Sequence, residues 1–177
     1  MRNGSARGDE AWLWRFLGGL RPGQVVSGVV ASIESFGVFV ALDDGPPHPV
    51  YPGVGFITIP ELSWRRFDDA TEVVSVGERI RCAFLGVDTY NGEARLSLRA
   101  LSPDPFEEFA RRVQVGQGVR GTVTLRVPFG VFVRVADGIE GLVHESEMAD
   151  VPEAGEEVGV VVTGIDAVGR RVGLRWA

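Results

Sequence analysis

A stretch of eighteen residues occurs twice in this chain, 93 positions apart. Gly23–Val40 reads GQVVSGVVASIESFGVFV, Gly116–Val133 reads GQGVRGTVTLRVPFGVFV, and ten of the eighteen residues are identical without a gap. A repeat this close indicates two copies of one structural unit. The run Phe-Gly-Val-Phe-Val is the longest preserved part, which makes it the first candidate for a functional motif.

Length and composition favour two small globular domains. The 177 residues, 45% of them hydrophobic, leave room for two domains of about 75–80 residues each. Cys82 is the only cysteine, so an internal disulfide is excluded and a reducing, cytoplasmic location is expected. Uninterrupted apolar stretches are too short to span a membrane, and the N-terminus lacks the apolar core of a signal peptide.

The charge of the chain is acidic in both copies. The net charge is −6, with 7 Arg against 10 acids in residues 21–100 and 6 Arg against 9 acids in residues 113–177. Domains that bind nucleic acid mainly through phosphate contacts usually carry a basic excess. Any nucleic-acid binding here must therefore depend on more than charge.

The spacing of β-branched residues, Gly and Pro predicts five short strands in each copy. In the first copy they are Val25–Ile33, Phe36–Leu42, Val54–Ile59, Ile80–Val87 and Ala94–Leu98. In the second they are Gly118–Val127, Phe129–Ala136, Ile139–His144, Val158–Ile165 and Arg171–Trp176. Between strands two and three, the first copy carries seven extra residues that include the Pro-rich run GPPHP.

Two short helices are predicted outside the copies. Asp9–Leu20 places Trp12, Phe16 and Leu20 on one helix face. We expect the aromatic side chains to dock on the first copy, and the alternative is that they fill a groove of a partner protein. The polar segment before it is predicted to be disordered. In residues 102–112, Asp104 can cap a short stiff helix with an acidic first turn and a basic last turn.

These elements predict an all-β chain of two five-stranded barrels of the OB type in tandem, with a short N-terminal helix and a short helical linker. The expected boundaries are 1–20 for the tail and helix, 21–101 for the first domain, 102–112 for the linker and 113–177 for the second domain.

The Phe pair of the repeat leaves two interpretations open. Phe129 and Phe132 are three residues apart, so a regular strand would point them to opposite faces. A kink or bulge at Gly130 would bring both rings to the outer surface. The alternative is that one or both rings fill the barrel core, where Phe usually lies.

The sequence contains no set of residues typical of a catalytic site or a metal site. His48 and His144 are the only histidines and Cys82 the only cysteine, so a zinc site would depend on carboxylates. The sequence contains no phosphate-binding Gly-rich motif and no nucleophile elbow. We therefore expect neither an enzyme nor a cofactor.

The motifs that follow the Phe pair resemble those of the S1 RNA-binding domain family. FGVFV is followed by EGLVHESEM and then by GIDAVGRRVGLRW, and the same order recurs in the first copy. The resemblance covers about 145 of the 177 residues. In that family the aromatics, the His, the Asp and an Arg build the nucleic-acid face. The resemblance thus implies a binding site made of Phe129, Phe132, His144, Asp166 and Arg171. The Phe rings would stack on unpaired bases, and Asp166 would hold Arg171 or a base edge.

The first copy departs from the family pattern at two positions. Thr58 stands where the His would be, and Glu93 stands in the place of Arg171, which would put an anion on the RNA face. The resemblance implies a secondary, weaker site there, made of Phe36, Phe39, Asp88 and Arg95.

Two functions remain open from the sequence. The first is a non-catalytic, monomeric protein that binds single-stranded RNA, with single-stranded DNA as a further ligand, mainly through the second copy. The second is a docking adaptor whose acidic domains bind a basic ribosomal or RNA-processing protein.

Overall fold

The computed structural model describes residues 4–147 and 150–177, which form two compact units, Met1–Ser102 and Pro103–Ala177. Each unit contains one closed five-stranded barrel, so the predicted fold class is confirmed. No helix within the described ranges is long and apolar enough to cross a membrane.

The barrel of the first unit joins five strands in the order β1-β2-β3-β5-β4. All neighbours are antiparallel except β3 and β5, which run parallel and complete the circle. Each predicted strand is found within one residue of its expected ends. The strands are β1 (Val25–Glu34), β2 (Gly37–Leu42), β3 (Gly55–Thr58), β4 (Arg79–Asp88) and β5 (Glu93–Ser97).

The barrel of the second unit repeats this topology, in the order β6-β7-β8-β10-β9. Here β8 and β10 form the parallel pair. The strands are β6 (Gly118–Val127), β7 (Gly130–Ala136), β8 (Ile139–His144), β9 (Glu157–Asp166) and β10 (Arg171–Trp176).

Alternation along the strands explains where each core lies. In β7, Val131 and Val133 are fully buried, and Val38 and Val40 take the same places in β2. Successive strand residues point to opposite faces, so the Val residues of Phe-Gly-Val-Phe-Val fill the barrel and the second Phe is directed outward. Burying each Val stabilises the fold by roughly 1.5–3 kcal/mol.

The glycine of the repeated motif is required by the approach of the neighbouring strand. A Cβ on Gly130 would lie 2.3 Å from the carbonyl oxygen of Val143, and one on Gly37 would lie 2.5 Å from that of Ile57. Real Cβ atoms do not come this close to a backbone oxygen, so any side chain would push the two strands apart.

The strand β7 has no bulge at Gly130. β7 pairs with β8 in regular register from Gly130 to Arg134. The irregularity lies instead in the partner strand β6, between Val123 and Leu125, and β1 has its own at the matching place. The bulge therefore belongs to the strand beside the Phe motif.

Helix α1 spans Gly4–Gly18 and begins earlier than predicted. Its first residues, 4–8, fall in the segment for which disorder was predicted, and residues 1–3 lie outside the described ranges. Leu13 and Leu17 form the buried face of α1 and join the core of the first barrel. The prediction that Trp12 docks there is wrong: its side chain is 56% exposed, because the buried stripe is centred one position further along the helix.

Helix α2 spans Pro105–Arg112 in the segment predicted as a linker. The Asp104 carboxylate accepts a hydrogen bond from the Phe106 backbone N–H, as expected of a capping residue. Phe106 and Phe109 are buried in the core of the second unit. The helix is therefore packed as a part of that unit.

Candidate nucleic-acid interface

Phe129 and Phe132 lie together on the outside of the second barrel. Phe129 occupies the turn before β7 and Phe132 lies within the strand, so the two rings meet edge to face with centroids 6.2 Å apart. Phe129 is 51% exposed and Phe132 is half-buried. Neither ring is part of the barrel core, so the surface interpretation of this Phe pair is the correct one.

A row of small and apolar residues continues from Phe132 across the barrel. Phe132 faces Leu142 of β8, and Leu142 faces Gly173 of β10. We call Phe129, Phe132, Leu142 and Gly173 the second aromatic face. Gly173 adds no side chain of its own to this row, and the Thr163 hydroxyl lies 2.8 Å from where its Cβ would be.

His144 lies at the end of β8, two residues beyond Leu142 and therefore on the same side of the strand. Its side chain is exposed, and its Nδ1 lies 3.2 Å from both the hydroxyl and the backbone N–H of Ser146. Ser146 thus orients the imidazole ring. The described residues place no hydrogen-bond partner at Nε2, so that atom can donate to or accept from a ligand.

Arg171 and Asp166 are opposite each other in the β9–β10 ladder. Of the two roles expected for Asp166, a contact with Arg171 is not seen: the Asp166 carboxylate accepts a hydrogen bond from Gly169 N–H at 3.0 Å and so closes the β9–β10 turn. No ion pair with Arg171 occurs among the described residues, and its side chain is exposed. The guanidinium is therefore available for a phosphate or a base.

The first barrel carries the same row with bulkier residues. Phe39 faces Phe56 of β3, and Phe56 faces Arg95 of β5. With Phe36 these residues form what we call the first aromatic face. Thr58 pairs with Gly37 as His144 pairs with Gly130, so Thr58 does stand in the place of the His.

The two Phe residues of the first aromatic face differ sharply in exposure. Phe36 is 61% exposed, whereas Phe39 is 4% exposed. The Phe39 ring is covered by Tyr51, which stacks on it with centroids 5.5 Å apart and planes 18° from parallel. Phe39 therefore cannot meet a base in this conformation.

Arg95 and Asp88 are also engaged within the first barrel. Arg95 Nη2 lies 2.5 Å from Asp88 Oδ2, and the guanidinium carbon lies 4.8 Å from the centroid of Phe56. This hydrogen bond, with those from the backbone and side chain of Asn91, lowers the pKa of Asp88 to about 2. Asp88 and Arg95, two of the four residues of the predicted weaker site, thus have partners inside the protein.

Glu93 does not place an anion on an exposed face, and that prediction is wrong. It pairs with Asp88 in the ladder, as Arg171 pairs with Asp166, but its side chain is 3% exposed. A Cβ on the adjacent Gly92 would meet Leu13 of α1 and His48, so this end of β5 is covered. Burial raises the pKa of the Glu93 carboxyl, whose Oε2 has no hydrogen-bond partner among the residues that the structure describes.

Sequence reasoning missed Tyr51 as a residue of the first aromatic face. The signal was present in the seven extra residues between strands two and three, which have no equivalent in the second copy. No cluster of three or more His, Cys, Asp or Glu side chains that could hold a metal ion occurs in the described part of the chain.

Comparison with known proteins identifies the family. The family described as "S1 RNA binding domain" matches residues 20–99 and 112–175. The small ribosomal subunit protein bS1 of Mycobacterium tuberculosis (strain ATCC 25618 / H37Rv) is 41% identical over 190 residues, which cover 98% of this chain and 38% of the relative. The bS1 protein of Rhizobium meliloti (strain 1021) is 31% identical over 165 residues, covering 88% of this chain and 28% of the relative. The chain thus spans well under half the length of these relatives.

Among solved structures, the solution structure of GSP13 from Bacillus subtilis is 29% identical, with a TM-score of 0.39, and covers 54% of this chain and 73% of that chain. The crystal structure of the a/eIF2alpha-aDim2p-rRNA complex from Pyrococcus horikoshii OT3 is 24% identical, with a TM-score of 0.40, and covers 52% of each chain. With two family matches in the order of its two barrels, the chain belongs to the S1 RNA-binding domain family and carries two S1 domains in tandem.

Proposed function

We propose that this chain is a non-catalytic protein that binds single-stranded RNA by base stacking, mainly through its second S1 domain. Membership of the S1 RNA-binding domain family supports nucleic-acid binding as such. The emphasis on the second domain is supported by one observation: Phe132 is only half-buried, whereas its counterpart Phe39 is 4% exposed because Tyr51 covers it.

Each residue of the proposed site has a distinct task. Phe129 and Phe132 offer flat apolar surfaces to unpaired bases, and such stacking contributes about 1–3 kcal/mol per base. His144, oriented by Ser146, donates to or accepts from a base edge or a phosphate through Nε2. Arg171 neutralises a phosphate or stacks on a base. Asp166 fixes the turn that follows β9 and thereby positions β10.

The acidic balance of the domain limits how such a site can work. The second domain carries 6 Arg against 9 acids in residues 113–177, so few phosphates are neutralised on binding. For single strands the slope of log K against log salt is about −0.7 per phosphate contact. We expect modest affinity, little sequence preference and a shallow salt slope.

Fluorescence anisotropy with a labelled oligo-U tests the site through matched positions in the two domains. Phe129→Ala or Phe132→Ala should weaken binding roughly 5- to 150-fold, the equivalent of about 1–3 kcal/mol. Phe36→Ala removes the ring in the equivalent turn of the first domain and should change affinity little. Equal losses from Phe36→Ala and Phe129→Ala would contradict the emphasis on the second domain.

The salt dependence tests the role of Arg171. Arg171→Ala should weaken binding and make the slope of log K against log salt shallower by about 0.7. Arg111→Ala removes the same charge from the exposed last turn of α2 and serves as the control. An unchanged slope in Arg171→Ala would show that this guanidinium does not contact phosphate.

A second candidate function is docking to a basic protein, such as a ribosomal or RNA-processing protein. The observation that favours it is the exposure of Trp12 and Trp14 on α1, beside a domain with net charge −3 in residues 21–100. The relatives named small ribosomal subunit protein bS1 make association with the ribosome the first case to test. Co-sedimentation with ribosomal subunits that survives nuclease treatment, and is lost in a Trp12→Ala/Trp14→Ala variant, would support this function.

A further inference from the structure

The first aromatic face is filled by side chains of its own domain. Tyr51 stacks on Phe39 in nearly parallel planes, and the Arg95 guanidinium lies over Phe56. Aromatic stacking and a cation over a ring are two of the contacts that proteins make with single-stranded nucleic acid. In the second domain, Leu142 and Gly173 take the places of Phe56 and Arg95.

Tyr51 belongs to the Pro-rich loop, by which we mean residues 43–53, between β2 and the core residue Val54 that precedes β3. His48 fixes the loop internally, because its Nδ1 lies 3.0 Å from the backbone N–H groups of both Val50 and Tyr51. The other ring nitrogen, Nε2, lies 2.8 Å from the Asn91 carbonyl oxygen. Since Nδ1 accepts in this arrangement, Nε2 carries the proton and donates it to Asn91.

A second set of contacts ties the Tyr51 ring to the turn between β4 and β5. The Tyr51 hydroxyl donates to Asn91 Oδ1 at 3.0 Å, and Asn91 Nδ2 donates to Asp88 Oδ2 at 3.1 Å. The same Asp88 oxygen receives the Arg95 guanidinium. Asn91 and Asp88 therefore connect the side chain that covers Phe39 to the one that covers Phe56.

The loop covers the face without being part of the barrel core. The buried residues of the first core include neither Tyr51 nor any residue from 43 to 53. The second barrel closes with the short Asp137-Gly138 turn in this place, so the barrel does not need the extra residues to form. The Pro-rich loop is thus an addition to the barrel that lies on its stacking surface.

We propose that the first S1 domain holds a closed single-stranded RNA site, in which Tyr51 takes the place of a base on Phe39, and that the site opens when the Pro-rich loop lifts. The proposal rests on the proposed function, because it assigns to Phe39 the role that Phe132 has in the second domain. In the closed state the chain binds one strand, through the second domain. In the open state it binds through both domains.

The test uses the full chain with the second aromatic face disabled by Phe129→Ala and Phe132→Ala. Binding of labelled oligo-U to this background is compared with and without Tyr51→Ala. Removal of the Tyr51 ring should tighten binding about tenfold, a difference of about 1.4 kcal/mol. Tyr51→Phe keeps the stacked ring but loses the hydroxyl's hydrogen bond to Asn91, so it should tighten binding by no more than twofold to threefold. Unchanged or weaker binding of folded Tyr51→Ala would overturn the proposal, and weaker binding would mean that Tyr51 is itself a ligand contact.

A second variant keeps the proposal testable if Tyr51→Ala does not fold. Asn91→Ala removes the hydrogen bond to the Tyr51 hydroxyl and leaves all core side chains in place, so it should tighten binding in the same direction by a smaller factor. If neither variant tightens binding, the proposal is wrong. The unmodified chain is measured beside them. If it fails to bind oligo-U, the proposed function is contradicted. If it binds oligo-U but Tyr51→Ala and Asn91→Ala do not tighten binding, only the closed site is contradicted.

Discussion

Glu93 and Arg171 occupy equivalent ladder positions, opposite Asp88 and Asp166, yet the Glu93 side chain is buried and the Arg171 side chain is exposed. The difference in burial comes from the segments that pack against the first barrel at this position. Leu13 of α1 and His48 of the Pro-rich loop both lie against Gly92, next to Glu93. A position that carries a free cation in one domain thus carries an enclosed carboxyl in the other.

Glu93→Gln should stabilise the chain at neutral pH. Burial raises the pKa of Glu93 above its ordinary 4.5, so ionisation is easier in the unfolded chain than in the folded one. The wild-type chain therefore loses stability as pH rises from about 4.5 through the raised folded pKa, and the amide variant avoids this loss. Thermal unfolding at several pH values should show a higher melting temperature for Glu93→Gln above the folded pKa of Glu93. This difference should disappear below pH 4.5. A lower melting temperature at neutral pH would show that attraction to Arg95 outweighs the cost of burial.

Asp88→Asn should have the opposite effect. The hydrogen bond from Arg95, followed by that from the Asn91 backbone, lowers the pKa of Asp88 from 3.8 to about 2. Ionised Asp88 therefore contributes stability that is fully present above pH 3.8 and is lost as pH falls through about 2. The Asn variant should be less stable at neutral pH and should lack this acid-dependent loss. Asp166→Asn is the matched control, because Asp166 forms no ion pair with its ladder partner.

Gly130→Ala should disrupt the second domain although it adds only one methyl group. The new Cβ would lie 2.3 Å from the Val143 carbonyl oxygen, which is backbone and cannot rotate away. Overpacking of this kind costs about 1–3 kcal/mol or more. Gly164→Ala is the control, since a Cβ there would meet no atom within 4 Å. Urea unfolding of the two variants checks the prediction, and equal midpoints would contradict it.

Asp104→Ala should destabilise the second domain and leave the first unaffected. Asp104 caps α2 through the Phe106 N–H and also holds the Arg170 guanidinium, whose Nη2 lies 2.9 Å from Asp104 Oδ1. Loss of an N-cap residue costs about 0.5–2 kcal/mol, and loss of the ion pair adds to it. Hydrogen exchange resolved by residue should show faster exchange in α2 and β10 only. Asp104→Asn keeps a capping side chain and should recover part of the loss.

The strands were predictable because their cause is local. Alternating Val residues and the flanking Gly and Pro placed every strand within one residue of its observed ends. The equivalence of Glu93 and Arg171, read from the repeat, is matched by their ladder positions opposite Asp88 and Asp166. Such features depend on which residues lie next to each other along and across the sheet.

The difference between the two aromatic faces was not predictable in this way. Phe39 and Phe132 stand at the same place in the same motif, and only the covering Tyr51 separates them. Its position depends on hydrogen bonds from a loop to a turn forty residues away along the chain. The hydrophobic periodicity of the sequence does not predict such contacts, because they depend on the individual side chains of His48 and Asn91. The burial of Glu93 was missed for the same reason.

The parallel pairings β3–β5 and β8–β10 have a consequence for how this chain reaches its native state. Two similar sequences on one polypeptide are always at high local concentration, which favours exchange of strands between neighbours and aggregation during folding. A sheet with a free edge would stay open to such exchange even after folding. Because each barrel satisfies its own edge strands, a correctly folded domain offers no template to the unfolded copy beside it.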